Sequence, residues 1–445
     1  MSVHCSYLIV GSGGGGVVAA TLKALSRKER DMYTRFSQRE ETPWRRSKPI
    51  RIGLAAASLL ASLAGLAASP AAGEDEGRAP DPATAQTAGS AEQAASPGEQ
   101  DAVPEDQAAG SEELAAHRPP PPLATWSGVF AIGRKRYTYT LVGTSPMVKR
   151  ARNTVVPVAI VPMRFVFHDG TVLDPTQPDA CLGGRVPLNV TVQSPLFQDF
   201  DYGDGPRQFL EHIQRMAFWQ YTGPGKLNPN YSVRLGTPTI LPTQTLTLPP
   251  DSTTEDYPCA TTGGTQKYGH IEGEVFDNFL LGPLTAQLPQ WGLAGNTFVL
   301  VLLPFVDFRT NGVETDFAFH AYLDTSRGKI TFAAAQLGLA FPDNLINIGP
   351  MSHEFAEWLN DPFINNLTPS WRETGEEESG CSNFLEVGDP LVGTFLPPIK
   401  MPNGISYQPQ ETVFLSWFFN QVPSIGINGW YSTGGTFKTP ATPCH

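Results

Sequence analysis

Residues 297–306 read Thr-Phe-Val-Leu-Val-Leu-Leu-Pro-Phe-Val, a run that is almost wholly apolar. A half-exposed strand alternates polar with apolar side chains, so this unbroken run reads as a strand buried on both faces. The chain has the material to cover it. Its hydrophobic fraction is 40% and it carries 25 Phe, ample for one sizeable core. The 43 Gly and 41 Pro, against only 17% charged residues, point to a loop-rich, β-heavy body and away from a helical bundle.

Around that run the chain reads as short strands punctuated by turns. Residues 130–132 and 137–142 alternate well enough for an antiparallel pair across Gly133-Arg134-Lys135. Residues 155–167 form a long β-branched run broken by Pro157 and Pro162, which predicts a bulged or edge strand. His168-Asp169-Gly170-Thr171 makes a turn. Residues 206–219 give the first good helix, with Phe209, Leu210, Ile213, Met216 and Ala217 on one side. Residues 231–248 alternate in strand fashion, and residues 317–322 and 329–334 look like further strands. Trp371, Trp417, Phe418 and Phe419 read as core or cleft lining. No internal repeat is present. The expected fold is α+β: one domain over residues 123–445, with a β-rich N-terminal half and a C-terminal half of helix and loops.

The first 122 residues have a different character. Residues 44–51 are basic, residues 52–68 are rich in Ala and Leu, and Ser69-Pro-Ala-Ala supplies small residues suited to cleavage. Residues 32–72 are therefore expected to be a signal peptide, translated from Met32, with residues 1–31 a mis-annotated start. The apolar run is short and broken by Gly53 and Gly65, so no stable membrane span is expected in the mature form. Gly11, Gly13 and Gly16 match a dinucleotide fingerprint, but no βαβ unit follows them, and the match is read as chance. Residues 73–122 are an Ala-, Glu- and Pro-rich tract with too little apolar surface to offset ordering entropy, expected as a disordered spacer.

Charge excludes one class of partner. The formal net charge is −12, with about +6 in residues 1–51 and about −9 in residues 74–118. The remaining body is mildly acidic and lacks the basic face that nucleic acid requires. Cys181, Cys259, Cys381 and Cys444 form an even set in a chain expected to be exported, which favours two disulfides, with all three pairings open.

Residues 348–362, Ile-Gly-Pro-Met-Ser-His-Glu-Phe-Ala-Glu-Trp-Leu-Asn-Asp-Pro, concentrate the candidate chemistry. Pro350 suits a first helical turn, Ser352 is placed to cap it, and Pro362 ends it. Met351, Phe355, Trp358 and Leu359 form an apolar stripe. His353 and Glu357, four apart, share one face, with Glu354 beside them. A zinc-protease helix presents two ligands and a general base at this spacing. A catalytic zinc keeps three protein ligands and one open position. His353 and Glu357 would supply two, and Glu386 or Asp389 the third. Glu354 would accept a proton from the metal-bound water.

The helix resembles that of the zincin metallopeptidases, with His-Glu-x-x-Glu in place of His-Glu-x-x-His. The wider pattern is His353-Glu354-x-x-Glu357-x-x-x-Asp361-Pro362, then Glu386-x-x-Asp389. It is similar to a group of uncharacterised secreted bacterial proteins and, more distantly, to plant Exordium-like (phosphate-induced) proteins. Ser194-Pro-Leu-Phe197 and Arg215-x-x-Phe218-Trp219 also fit the bacterial group, so the resemblance covers most of residues 124–445. It implies a secreted protein with a metal site and no assigned substrate. Two carboxylates and one imidazole are a harder ligand set than two imidazoles, one that calcium or manganese also suits.

Other candidates are weaker. His320 reads first as a hydrogen-bonded structural histidine and second as a further ligand. His168 and His270, each beside a glycine-marked turn, read as surface residues. The acidic stretch 373–378 has no EF-hand spacing, and no Gly-x-Ser-x-Gly elbow supports a serine hydrolase. The expected function is a secreted or periplasmic zinc-dependent hydrolase acting on an extracellular substrate, a peptide first. The alternative is a non-enzymatic extracellular or cell-wall-associated binding protein with a structural calcium.

Overall fold

The computed structural model describes residues 121–259, 264–310, 313–325, 328–338, 340–341, 345–372 and 381–444. The expectations for residues 1–120 and for the acidic stretch 373–378 lie outside those residues. Among the described residues, no helix is long and apolar enough to cross a membrane.

The fold is α+β, with its strands concentrated before residue 336. In chain order the elements that position the site are β1 (Thr125–Ile132), β2 (Lys135–Val142), β3 (Val158–Val166), β4 (Gln244–Thr247), β5 (Phe298–Leu303), β6 (Ala318–Thr325), β7 (Gly328–Gln336) and helix α1 (Gly349–Asn360). The β1–β2 hairpin forms where its alternation predicts, in register from Thr125 opposite Val142 to Ile132 opposite Lys135. The helix expected over residues 206–219 forms as Phe209–Ala217, burying Phe209, Leu210, Ile213 and Met216.

The largest sheet has the order β4-β3-β5-β7-β6. Its first four strands run parallel, and β6 closes the edge antiparallel to β7. All six residues of β5 are buried, so the run that opened the sequence reading is the central strand. Period-2 alternation divides its side chains between two cores. Phe298, Leu300 and Leu302, with Ala333 and Ala335 of β7, face the core that contains α1. Val299, Val301 and Leu303, with Phe332 and Ala334, face the other. Each large apolar side chain buried in this way contributes about 1.5–3 kcal/mol.

Two sequence expectations are corrected. The run over residues 155–167 is not an edge strand. It splits at Pro157, and its longer part, β3, lies inside the sheet beside β5. Pro162 is accommodated because it falls where the far side of β3 changes partners. Ala159 and Ile160 pair with Thr239–Ile240, and Met163 onward pairs with β4. His270 is not a surface residue. It lies buried on the strand Thr265–Glu272, with Nδ1 2.9 Å from the Asp307 carboxylate. The adjacent Gly269 marks close packing rather than a turn, since a Cβ there would meet Phe167 and Val306. His168 is exposed, as expected.

The four cysteines pair as Cys181–Cys259 and Cys381–Cys444, which resolves the connectivity. The second bridge ties the segment that follows Cys381 to residue 444. Next to it, the Cys444 N–H donates to the Ser370 carbonyl.

Candidate metal centre

Helix α1 carries two faces with different jobs. Met351, Phe355, Trp358 and Leu359 are fully buried against the sheet. Trp358 stacks on Phe298 with ring centroids 4.1 Å apart, and its Nε1–H donates to Thr331 Oγ1 on β7 at 2.9 Å. This packing fixes the rotation of the helix about its axis and so aims His353, Glu354 and Glu357 away from β5.

The start of the helix differs from expectation. Ser352 is not its cap. The helix begins at Gly349, whose N–H donates to Asn347 Oδ1 at 2.7 Å. Ser352 lies one turn in, where its hydroxyl donates to the Gly349 carbonyl and accepts the Gln410 N–H. At the other end Asp361 stops the helix and accepts the Asn365 and Asn366 N–H groups at 3.0 and 2.8 Å.

Two further segments meet the polar face. His320 comes from the edge strand β6. Phe319, Ala321 and Leu323 pack on the far side of the sheet, so alternation turns His320 towards α1. The loop after the strand Ser382–Phe384 supplies the rest. Leu385 and Val387 are buried in the α1-side core, which turns Glu386, between them, to the cluster. Asp389 follows at the start of a 3₁₀ turn.

The distances are short. His353 Nε2 lies 3.1 Å from Glu357 Oε1, 3.3 Å from Asp389 Oδ1 and 4.0 Å from Glu354 Oε1. His320 Nδ1 lies 3.1 Å from Glu354 Oε2 and 3.5 Å from Glu357 Oε2. Glu357 Oε1 also accepts the Gly388 N–H at 3.0 Å. Gln410 Nε2 donates to the Gly388 carbonyl at 2.8 Å and lies 3.0 Å from His353 Nδ1, bracing loop and ring together. His320, Glu354, Glu357 and Glu386 are all buried.

Four carboxylates and two imidazoles thus share a site largely shut off from water. Among the described residues, no Lys or Arg pairs with any of these carboxylates. Protons carry the compensation. Burial alone would lower the His353 pKa, but Glu357, Asp389 and Glu354 hold it well above the ordinary histidine value. His320 is raised likewise, through Glu354, Glu357 and Glu386 against its burial. Burial would raise Glu357, yet His353 and His320 pull it below the usual carboxylate range. Glu386 is raised well above that range by burial and by the charge of Glu357. Asp389 is pushed up to about 6 for the same two reasons.

Metal-ion chemistry fits this arrangement. One ligand atom each from His353, Glu357 and Asp389 lies within 4.8 Å of the others, and the same holds for His320, Glu357 and Glu386. Glu386 Oε2 and His320 Nε2 are buried without a hydrogen-bond partner. Buried polar atoms are nearly always satisfied, so two orphans beside a ligand cluster call for a further partner. The residues singled out in the sequence, His353, Glu354, Glu357, Glu386 and Asp389, are all brought together. Sequence reasoning placed His320 second and missed Gly388 and Gln410, whose roles depend on chain segments far from the helix.

No family model, curated protein or solved structure matches the chain. What stands is coarser than the zincin resemblance: a buried His/Glu/Asp cluster able to coordinate a metal ion.

Proposed function

We propose that this protein is an exported, metal-dependent hydrolase, with peptides as its first substrate class. The observation that carries the reading is the convergence of His353, Glu357 and Asp389 within ligand distance of one another. These three would hold the cation. A bound divalent cation would supply Lewis acidity, polarising a carbonyl and lowering the pKa of water so that the water can give up a proton and attack as hydroxide. Glu354 stands beside the ligand set and would take the proton from that water. Glu354 Oε2 lies 3.1 Å from His320 Nδ1, which keeps the carboxylate at the edge of the ligand set.

Donor chemistry supports zinc or another transition metal over calcium, because calcium favours all-oxygen cages and the set includes an imidazole. The two disulfides support export, since such bridges persist in oxidising compartments. Residues 32–72 would then be the export signal, residues 73–122 the spacer and residues 123–445 the working domain. The test is a pair of variants. Glu354→Gln should keep its metal and lose about 10²–10⁴-fold of any peptidase activity, whereas His353→Ala should lose the metal. Unchanged activity in Glu354→Gln would remove the catalytic role.

The burial of the cluster favours a second reading, a structural cation in a non-enzymatic extracellular binding protein. It predicts a lower melting temperature on chelation and no hydrolysis on a broad peptide panel.

A further inference from the structure

We infer that the cluster is built for two divalent cations bridged by Glu357, with His320 and Glu386 as ligands of the second. The inference rests on the reading of this cluster as a metal centre, but not on hydrolysis. The two ligand triads share one residue, Glu357, and it divides its oxygens between them. Oε1 faces His353 at 3.1 Å, and Oε2 faces His320 at 3.5 Å. Beyond the shared carboxylate each side has its own pair, His353 with Asp389 and His320 with Glu386.

Charge leads to the same count. One divalent cation offsets two of the four carboxylates and leaves the other two dependent on bound protons, since a bare charge is costly away from water. Two such cations balance all four with both imidazoles neutral. A single ion on the His353 side would also leave Glu386 Oε2 buried without a partner. One imidazole and several carboxylates per ion suit zinc, manganese or iron.

Stoichiometry decides the matter. Full-length protein, purified with its disulfides intact and stripped by chelation, is titrated with Mn²⁺ or Zn²⁺ and analysed for metal per chain. Two ions per chain are expected, and the manganese form should show the spin-coupled resonance of paired ions. Glu386→Gln should hold one ion and give an uncoupled six-line manganese spectrum. His320→Ala should do the same, and circular dichroism checks that both variants fold. Glu357→Gln should weaken both ions together. One ion per chain in the parent, unchanged in Glu386→Gln and His320→Ala, would overturn the two-ion centre and leave the single-metal reading intact. No bound ion at all would overturn both.

Discussion

Gly388 lies flat against the imidazole of His353, so close that a Cβ at position 388 would fall 2.6 Å from the ring. The same glycine donates its N–H to Glu357 and offers its carbonyl to Gln410. Its lack of a side chain lets the loop that carries Glu386 and Asp389 approach helix α1. Gly388→Ala should force the ring or the loop aside and weaken metal affinity about 10- to 100-fold, the usual scale for groups that orient ligands. Calorimetric titration of the variant checks this. An unchanged affinity would mean that the loop gives way without disturbing the ligands.

The apolar side of α1 makes a separate prediction. Trp358→Ala removes the stack on Phe298 and the hydrogen bond to Thr331, and should destabilise the fold by about 3–5 kcal/mol. Trp358→Phe keeps the ring and loses the bond, so about 1 kcal/mol is expected. Urea unfolding of the chelated proteins measures both. A loss in Trp358→Ala no larger than in Trp358→Phe would show that the stack contributes little.

The protons held by the cluster predict how pH acts on stability. In the metal-free protein Asp389, pushed up to about 6, and Glu386, raised well above the usual carboxylate range, keep protons that the unfolded chain sheds near pH 4. Folding stability should therefore fall as pH rises from about 4 through 6. His353 and His320, raised above the unfolded value of about 6.5, extend the fall to higher pH. Glu357, lowered, acts in the opposite sense and only below about pH 4.5. A bound cation displaces these protons. The melting-temperature gap between loaded and chelated protein should widen from pH 5 to pH 8, and a constant gap would contradict the assignment.

Opening the Cys381–Cys444 bridge should loosen the segment that carries Glu386 and Asp389. The bridge spans 63 residues, a loop whose closure stabilises by about 4 kcal/mol in the chain-entropy view. Replacing both cysteines by serine should lower stability and metal affinity together. The Cys181–Cys259 pair lies outside the ligand segments, so its double serine variant should lower stability with the smaller effect on affinity. Equal losses of affinity in the two variants would break the link between bridge and site.

The parts of this architecture that depend on local chemistry were legible in the sequence. The 297–306 run, the first hairpin and the His353/Glu357 face follow from periodicity within one segment. Pro162 misled because its tolerance depends on where two other strands end. His270 misled because Gly269 permits close packing that only the folded sheet reveals. His320 carried a ligand signal too weak to rank first, since no spacing rule connects an edge strand to a helix thirty residues later. Gln410 left no signal of its own: an isolated glutamine is informative only once the loop it braces is in place.

The clasp at Cys444 sets an order in time. The cluster's side chains are distributed from His320 to Asp389, yet the bridge that secures the last of them needs a thiol some fifty-five residues further on. During synthesis the helix and β6 exist before the loop can be tied down. The loop is therefore tied down only after Cys381 and Cys444 have been oxidised together. Closure of the bridge is thus a late step, one that couples the order of the segment carrying Glu386 and Asp389 to the redox state of two thiols.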